Sequence, residues 1–166
     1  MTLSVRPYAA DDAAALWAML KPVFRAGDTY AVNRDISKED ALEFWLGSGH
    51  AVFVAEDRDV LGTYFVCPNK AGGGGHVANA AYVTAAGFGG KGVARAMLVH
   101  SLDTARAMGF RAMQYNFVVS TNTRAVDTWL RAGFEVVGRV PGAFNHPDHG
   151  YVDAFVMHKP LVSDGD

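Results

Sequence analysis

Between Gly87 and Leu98 the sequence reads GFGGKGVARAML, with glycines at 87, 89, 90 and 92 and cations at Lys91 and Arg95. Glycines strip side chains from the loop, and a helical pattern begins directly after them. A helix N-terminus carries unpaired N–H groups and a partial positive charge. A phosphate-bearing ligand is therefore the chemistry that this stretch fits. The competing reading is a glycine-rich turn that only packs a helix tightly on a sheet. Gly87, Gly89 and Gly92 also spell G-x-G-x-x-G, but a dinucleotide site wants an acid roughly 20 residues further on. No acidic residue lies between Asp103 and Asp127. A P-loop is not present either, because Lys91 is followed by Gly92 rather than Ser or Thr.

Other polar groups stand inside apolar runs. Asn79 and Asn116 fall in the middle of two candidate strands, where an amide costs stability unless it finds a partner. Asn122 precedes a helical pattern and suits an N-cap. His146 and His149 have a His-x-x-His spacing, yet no second ligand pair accompanies them, so no metal is expected. Cys67 is the single cysteine, which rules out an intrachain disulfide and is best read as a buried strand residue.

Composition narrows the classes. The chain has 166 residues, half of them hydrophobic, and a formal net charge of −2. That suits one domain with a full core. No basic block suggests nucleic acid or an anionic membrane surface as a partner. The N-terminus lacks a basic leader pattern, and no apolar run approaches the ~20 residues of a membrane span. A cytoplasmic protein is expected, with a domain over residues 1–162 and a polar tail over 163–166.

The elements that must position these groups follow from periodicity. Leu3 to Tyr8 predicts a strand. Asp11 or Asp12 caps a helix carrying Ala15, Leu16, Met19 and Leu20 that stops near Pro22, and Arg25 to Arg34 is a loop. Ser37 opens a second helix through Leu46. Ala51–Ala55 and Leu61–Cys67 form a hairpin around Asp57-Arg58-Asp59. Val77 to Thr84 is a strand leading into the glycine loop. Ala94, Met97, Leu98, Leu102 and Ala105 then share one face of a helix that ends near Met108. Ala112 to Val119 is a strand, Asn122 caps a helix with Ala125, Val126, Trp129 and Leu130, and Phe134–Val140 and Tyr151–Met157 are strands separated by a loop over Pro141–Gly150. The result is one α+β domain with mostly antiparallel strands and one parallel pair across the helix that follows the glycines. Apolar edge strands at the C-terminus leave room for a homodimer.

This strand–loop–helix resembles the acetyl-CoA motif of the GCN5-related N-acetyltransferase (GNAT) superfamily, Q/R-x-x-G-x-G/A. Gly89-Gly90-Lys91-Gly92-Val93-Ala94 occupies it, and the element order matches over nearly the whole chain. The two signatures are ANAAYVTAAGFGGKGVARAML and NFVVSTNTRAVDTWLRAGFEVVG. Gly89 departs from the motif by standing where Gln or Arg is usual. The resemblance implies a mixed central sheet of about seven strands flanked by about four helices. It implies acetyl-CoA as co-substrate and direct transfer of the acetyl group to an amine. The backbone of Tyr82, Val83 and Thr84 would pair with the pantetheine arm or hold the oxyanion. The amides from Gly89 through Gly90, Lys91, Gly92, Val93 and Ala94 to Arg95 would hold the pyrophosphate, and Asn122 would contact the cofactor.

Many relatives use a tyrosine four residues before the Gly of Gly-Phe to protonate the leaving thiolate. Trp129 stands there in this chain, so the thiolate leaves unaided or Tyr115 or Tyr151 substitutes. No glutamate lies on the strand before the loop; Asp28, Asp153 or water would take the amine proton. Phe144, His146, His149 and Tyr30 would shape the acceptor entrance. Short stretches, NAAYVT and YNFVVSTN, are also similar to a branch that acetylates small imino acids, in which Asn79 and Asn116 would hold the acceptor carboxylate. A small-molecule amine is thus the expected acceptor. The alternatives are a GNAT-like module that binds acyl-CoA without turnover, a protein or peptide N-acetyltransferase, and a nicotinamide-binding oxidoreductase, which the missing ribose acid disfavours.

Overall fold

The computed structural model describes all residues, Met1–Asp166. One mixed sheet carries the molecule. Its strands are β1 (Ser4–Pro7), β2 (Ala51–Asp57), β3 (Asp59–Pro68), β4 (Val77–Thr84), β5 (Ala112–Val119), β6 (Glu135–His146) and β7 (Gly150–Pro160). They lie in the order β1-β2-β3-β4-β5-β7-β6. Helices α1 (Ala13–Ala26) and α2 (Lys38–Trp45) precede the hairpin, α3 (Val93–Ala107) joins β4 to β5, and α4 (Thr123–Arg131) joins β5 to β6. This is the mixed seven-stranded α+β fold expected from the sequence, with β4 and β5 as the one parallel pair.

Each face of the sheet has its own core. Alternation along the strands sends Tyr64, Ala80, Met113 and Tyr115 to the α3 side, where they meet Val93, Met97 and Leu98. Phe65 and Val83 point to the other side, against Leu16, Leu20, Phe24 and Trp45 of α1 and α2. Gly62 lets α3 approach the sheet closely: a Cβ there would lie 2.8 Å from Met97 Sδ.

Three local expectations are corrected. Helix α1 does not stop near Pro22 but runs to Ala26 and ends on Gly27 in the left-handed region (φ +67°). Proline removes one N–H from the helix ladder, and the fully buried Leu16, Leu20 and Phe24 hold the helix together across it. Asp12 stands at the N-cap of α1, but its carboxylate makes no cap bond. It accepts instead from the Ala9 N–H at 2.8 Å and from both terminal nitrogens of Arg6. Finally, Pro141–Gly150 is not an open loop. Strand β6 continues to His146 and pairs with β7 as far as Gly150, with a register shift between Val140 and Phe144. Pro141 sits within that irregularity, where a missing N–H removes no regular ladder bond.

The sheet opens where the site forms. β4 and β5 are paired only at Val77–Ala112 and Ala78–Met113. Beyond that point they part. β5 also gains one residue against β7, since Tyr115 opposes Met157 and Val118 opposes Phe155. Asn116 and Phe117 fill this bulge, which bends β5 away from β4.

Candidate functional site

The glycine loop lies at the end of β4 and turns the chain into α3. Gly87, Gly90 and Gly92 have φ of +81°, +77° and +87°, conformations that residues with a Cβ rarely adopt. No backbone acceptor takes the N–H groups of Gly89, Gly90, Gly92, Val93, Ala94 or Arg95. Lys91 differs: its N–H turns back to the Phe88 C=O at 3.4 Å, and its ammonium lies 4.7 Å from the centre of the Phe88 ring. The side chain of Val93 is buried in the core.

Beside this loop is a cleft of about 430 Å³ between β4, α3 and α4. Arg95 and Arg124 line it, with no carboxylate among the lining residues. Arg124 was not singled out in the sequence. Its guanidinium lies against the loop: a Cβ at Gly89 would come 3.2 Å from Nη1, and one at Gly90 would come 3.1 Å from Nη2. The glycines at 89 and 90 thus leave room for a cation supplied by α4. The only hint in the sequence is a basic residue two positions after the Asn122 cap.

A second cavity, of about 310 Å³, opens on the α1–α2 side. Tyr82, Asn122, Ala125 and Trp129 line both spaces, so the two meet where β4 and β5 part. Asn79 and Asn116 both line the second cavity. Asn116 is already engaged: its Nδ2 donates to Asn69 Oδ1 at 2.6 Å, and its Oδ1 accepts from Gln114 Nε2 at 3.1 Å. The Asn79 amide has no side-chain hydrogen bond within the chain and faces the cavity. Asn122 caps α4, accepting from the Ala125 N–H at 3.4 Å.

The backbone of β4 divides its groups between two directions. Asn69 N–H bonds Val77 C=O at 2.8 Å and Ala85 N–H bonds Leu61 C=O at 2.8 Å. Alternation therefore turns the Val83 backbone toward β3 and the Tyr82 and Thr84 backbones toward the opening. Of the three residues carried over from the resemblance, Tyr82 and Thr84 present main-chain groups there and Val83 does not. The Tyr82 groups are not free: the Tyr30 hydroxyl donates to the Tyr82 C=O at 2.7 Å and accepts from its N–H at 3.2 Å.

Tyr82 and Tyr115 are joined by hydroxyl hydrogen bonds. Tyr115 is 5% exposed and stacks on Phe134 at 4.5 Å. Its hydroxyl meets that of Tyr82 at 2.8 Å, and the Tyr82 hydroxyl meets Ser101 Oγ at 2.7 Å. Burial pushes the Tyr82 hydroxyl up to about 12 and that of Tyr115 well above the ordinary tyrosine range. Trp129 packs against both rings, 5.1 Å from Tyr82 and 4.8 Å from Tyr115. Tyr151 is 78% exposed at the far end of the β6–β7 hairpin and lines neither cavity.

Other expected contributors also lie elsewhere. Asp153 accepts from the Arg139 guanidinium and the Gly142 N–H, and neither it nor Asp28 lines the cavities. His146 accepts from the Asp148 N–H at 3.0 Å, closing the hairpin turn, with the His149 ring tilted beside it at 4.5 Å. No three His, Cys, Asp or Glu side chains come together in a metal-binding group. Phe144 reaches the site only through Phe117, 6.2 Å away. Cys67, expected to be buried, is only half-buried; it pairs across the sheet with Asn79, and partial burial raises its thiol. No helix is long and apolar enough to cross a membrane.

Comparisons with known proteins agree with this architecture. The model of the acetyltransferase (GNAT) family matches residues 14–134. A GCN5-related N-acetyltransferase structure from Kribbella flavida is 42% identical, with a TM-score of 0.91 over 95% of this chain and 97% of its own. The N-acetyltransferase aca1 of Schizosaccharomyces pombe is 24% identical over 158 residues, covering 83% of this chain and 76% of its own length. A GNAT superfamily phosphinothricin acetyltransferase from Sinorhizobium meliloti, solved in complex with acetyl-CoA, shares the fold at 20% identity. Its TM-score is 0.84, over 99% of this chain and 95% of its own. The glycine loop, the parting of β4 and β5 and the family match lead to one conclusion: the chain belongs to the acetyltransferase (GNAT) family.

Proposed function

We propose that the chain transfers the acetyl group of acetyl-CoA directly to the amine of a small amino or imino acid. The observation that carries this reading is the meeting of two unlike spaces at Tyr82 and Trp129. One is a cationic cleft bounded by free loop amides, and the other is an uncharged, largely apolar cavity. Free N–H groups with Arg95 and Arg124 suit a pyrophosphate. Arg124 supplies the cationic side chain that the motif's first position, Gly89, does not. A cavity of about 310 Å³ lies in the size range of small-molecule sites, roughly 300–1,000 Å³.

In this reading the thioester enters the opening beside Tyr82, and the acceptor amine approaches from the opposite face. The amine nitrogen forms the C–N bond as the C–S bond breaks. Neither cavity contains a histidine or a carboxylate. The amine must therefore react from its neutral form, its extra proton passes to water, and the thiolate is protonated from solvent. The Asn79 amide would hold an acceptor carboxylate, and Asn116, bonded to Asn69 and Gln114, forms part of the wall.

The missing acid and base also suit a second reading, in which the chain binds acyl-CoA without turnover. Calorimetric titration with acetyl-CoA, followed by mass spectrometry of products from small amino acids, imino acids, polyamines and short peptides, separates the two. An acetylated amino or imino acid supports the proposal. An acetylated peptide alone moves the acceptor class to protein, and binding without product favours the second reading.

A further inference from the structure

Tyr30 is the residue that the opening of the sheet leaves unexplained. Beyond Ala78 no strand covers the inner edge of β4, so the Tyr82 N–H and C=O would face empty space. The Tyr30 hydroxyl takes both, accepting from one at 3.2 Å and donating to the other at 2.7 Å. One hydroxyl thus does the work of a neighbouring peptide group.

The loop that delivers it is clasped at its base, and its tip lines the cavity. At the base, an Arg25 terminal nitrogen donates to the Arg34 C=O, and Arg34 Nε donates back to the Arg25 C=O at 2.9 Å. Gly27 lies under the Arg34 stem, where a Cβ would come within 2.6 Å of Cδ. At the tip, Thr29, Tyr30, Ala31 and Val32 form one wall of the uncharged cavity. The Tyr30 ring rests edge-on against Phe24 and Trp45, at 5.7 and 6.2 Å.

We infer that Tyr30 is a positioning residue that competes with the acyl-CoA arm for the backbone of Tyr82, so that cofactor entry releases the tip of the Gly27–Arg34 loop and reshapes the acceptor cavity. This rests on the reading that acetyl-CoA passes through the opening. A thioester or amide oxygen can accept from the Tyr82 N–H only after the Tyr30 oxygen has left it, because both need the same donor direction. The departing hydroxyl takes residues 29–32 with it, while the Arg25–Arg34 clasp keeps the loop anchored. Cofactor and acceptor sites are then coupled through one hydrogen-bond exchange.

The test compares wild type with Tyr30→Phe, which keeps the ring and removes the competitor. Acetyl-CoA should bind the variant about three- to tenfold more tightly, as expected for loss of one competing hydrogen bond. At saturating acetyl-CoA the acceptor KM should stay the same, because the bound cofactor has already released that wall in the wild type. Amide hydrogen exchange on the wild type gives a second readout that needs no variant: residues 28–33 should exchange faster with saturating acetyl-CoA than without it. Equal or weaker acetyl-CoA binding by Tyr30→Phe, or protection of residues 28–33 by acetyl-CoA, overturns the inference and leaves the transferase reading standing. Absence of acetyl-CoA binding by the wild type overturns that reading and this inference with it.

Discussion

The hydroxyls of Tyr115 and Tyr82 meet at 2.8 Å on the floor of the opening between β4 and β5. The direction of this bond is set by what lies beyond it. Ser101 Oγ donates its one hydrogen to the Leu98 C=O at 2.8 Å. It must therefore accept from Tyr82, which in turn must accept from Tyr115. The Tyr115 proton is committed inward, and burial holds its hydroxyl well above the ordinary range. On this geometry we expect Tyr115 to be a structural donor rather than the acid that protonates the thiolate. Tyr115→Phe should change kcat by no more than a few-fold and lower stability by about 1 kcal/mol. Steady-state kinetics and a denaturant melt check both halves; a fall in kcat beyond about 100-fold, the scale of a lost general acid, would restore Tyr115 to the chemistry.

Asn79 and Asn116 line the same cavity but are not equivalent. The Asn79 amide makes no side-chain hydrogen bond, whereas the Asn116 amide is held by Asn69 and Gln114. Asn79→Ala should raise the acceptor KM about tenfold, the worth of a hydrogen bond to a charged group, with the acetyl-CoA KM unchanged. Asn116→Ala should have a smaller effect on the same constant, acting through loss of its bonds to Asn69 and Gln114. Initial rates with each substrate varied in turn give the comparison, and a larger effect at Asn116 would reverse the assignment.

Arg124 should matter to the cofactor alone. Its guanidinium lies against Gly89 and Gly90 with no carboxylate partner, so its charge is available to a phosphate. Arg124→Gln should weaken acetyl-CoA binding about 10- to 100-fold, the range for a charge-assisted hydrogen bond. Raising the salt concentration should narrow the gap between variant and wild type. Calorimetry at two salt concentrations is the check.

Acid stability should depend on the Arg6 cluster. Arg6 bonds Asp12 and Glu56, each at 2.8 Å. Hydrogen bonding to Arg6 holds the nearly buried Asp12 carboxyl below its ordinary value. A carboxyl depressed in the folded state contributes stability above its unfolded value, near 3.9, and that contribution is lost as pH falls through the folded value. Asp12→Asn should therefore cost about 1–2 kcal/mol at pH 7, a modest figure because Arg6 is one-third exposed. The cost should shrink below about pH 4. Urea melts across pH 3–8 measure it.

What could be read from the sequence was local. The Asn122 and Ser37 caps, the order of elements along the chain and the glycine loop rest on neighbouring residues, and the structure shows each of these elements. The site's remaining features join distant parts of the chain. Tyr30 and Tyr82 are 52 positions apart, and Arg124 reaches Gly89 only because α4 packs beside the loop. The proton direction at Tyr115 depends on Ser101, one turn from a carbonyl in α3. Pro22 misled for a different reason: buried packing of α1 outweighs one lost helix bond. In the C-terminal hairpin, Gly142, Pro147 and Gly150 look like loop residues, yet only the bulge and the turn use them that way.

The most direct measurement is the rate of thiol release from acetyl-CoA by the purified protein, with each class of amine present and with none. Acetyl transfer predicts release that depends on a small amino or imino acid and rises with pH as more of that amine becomes neutral. Release independent of any amine, or none with any amine despite saturating acetyl-CoA, would contradict it.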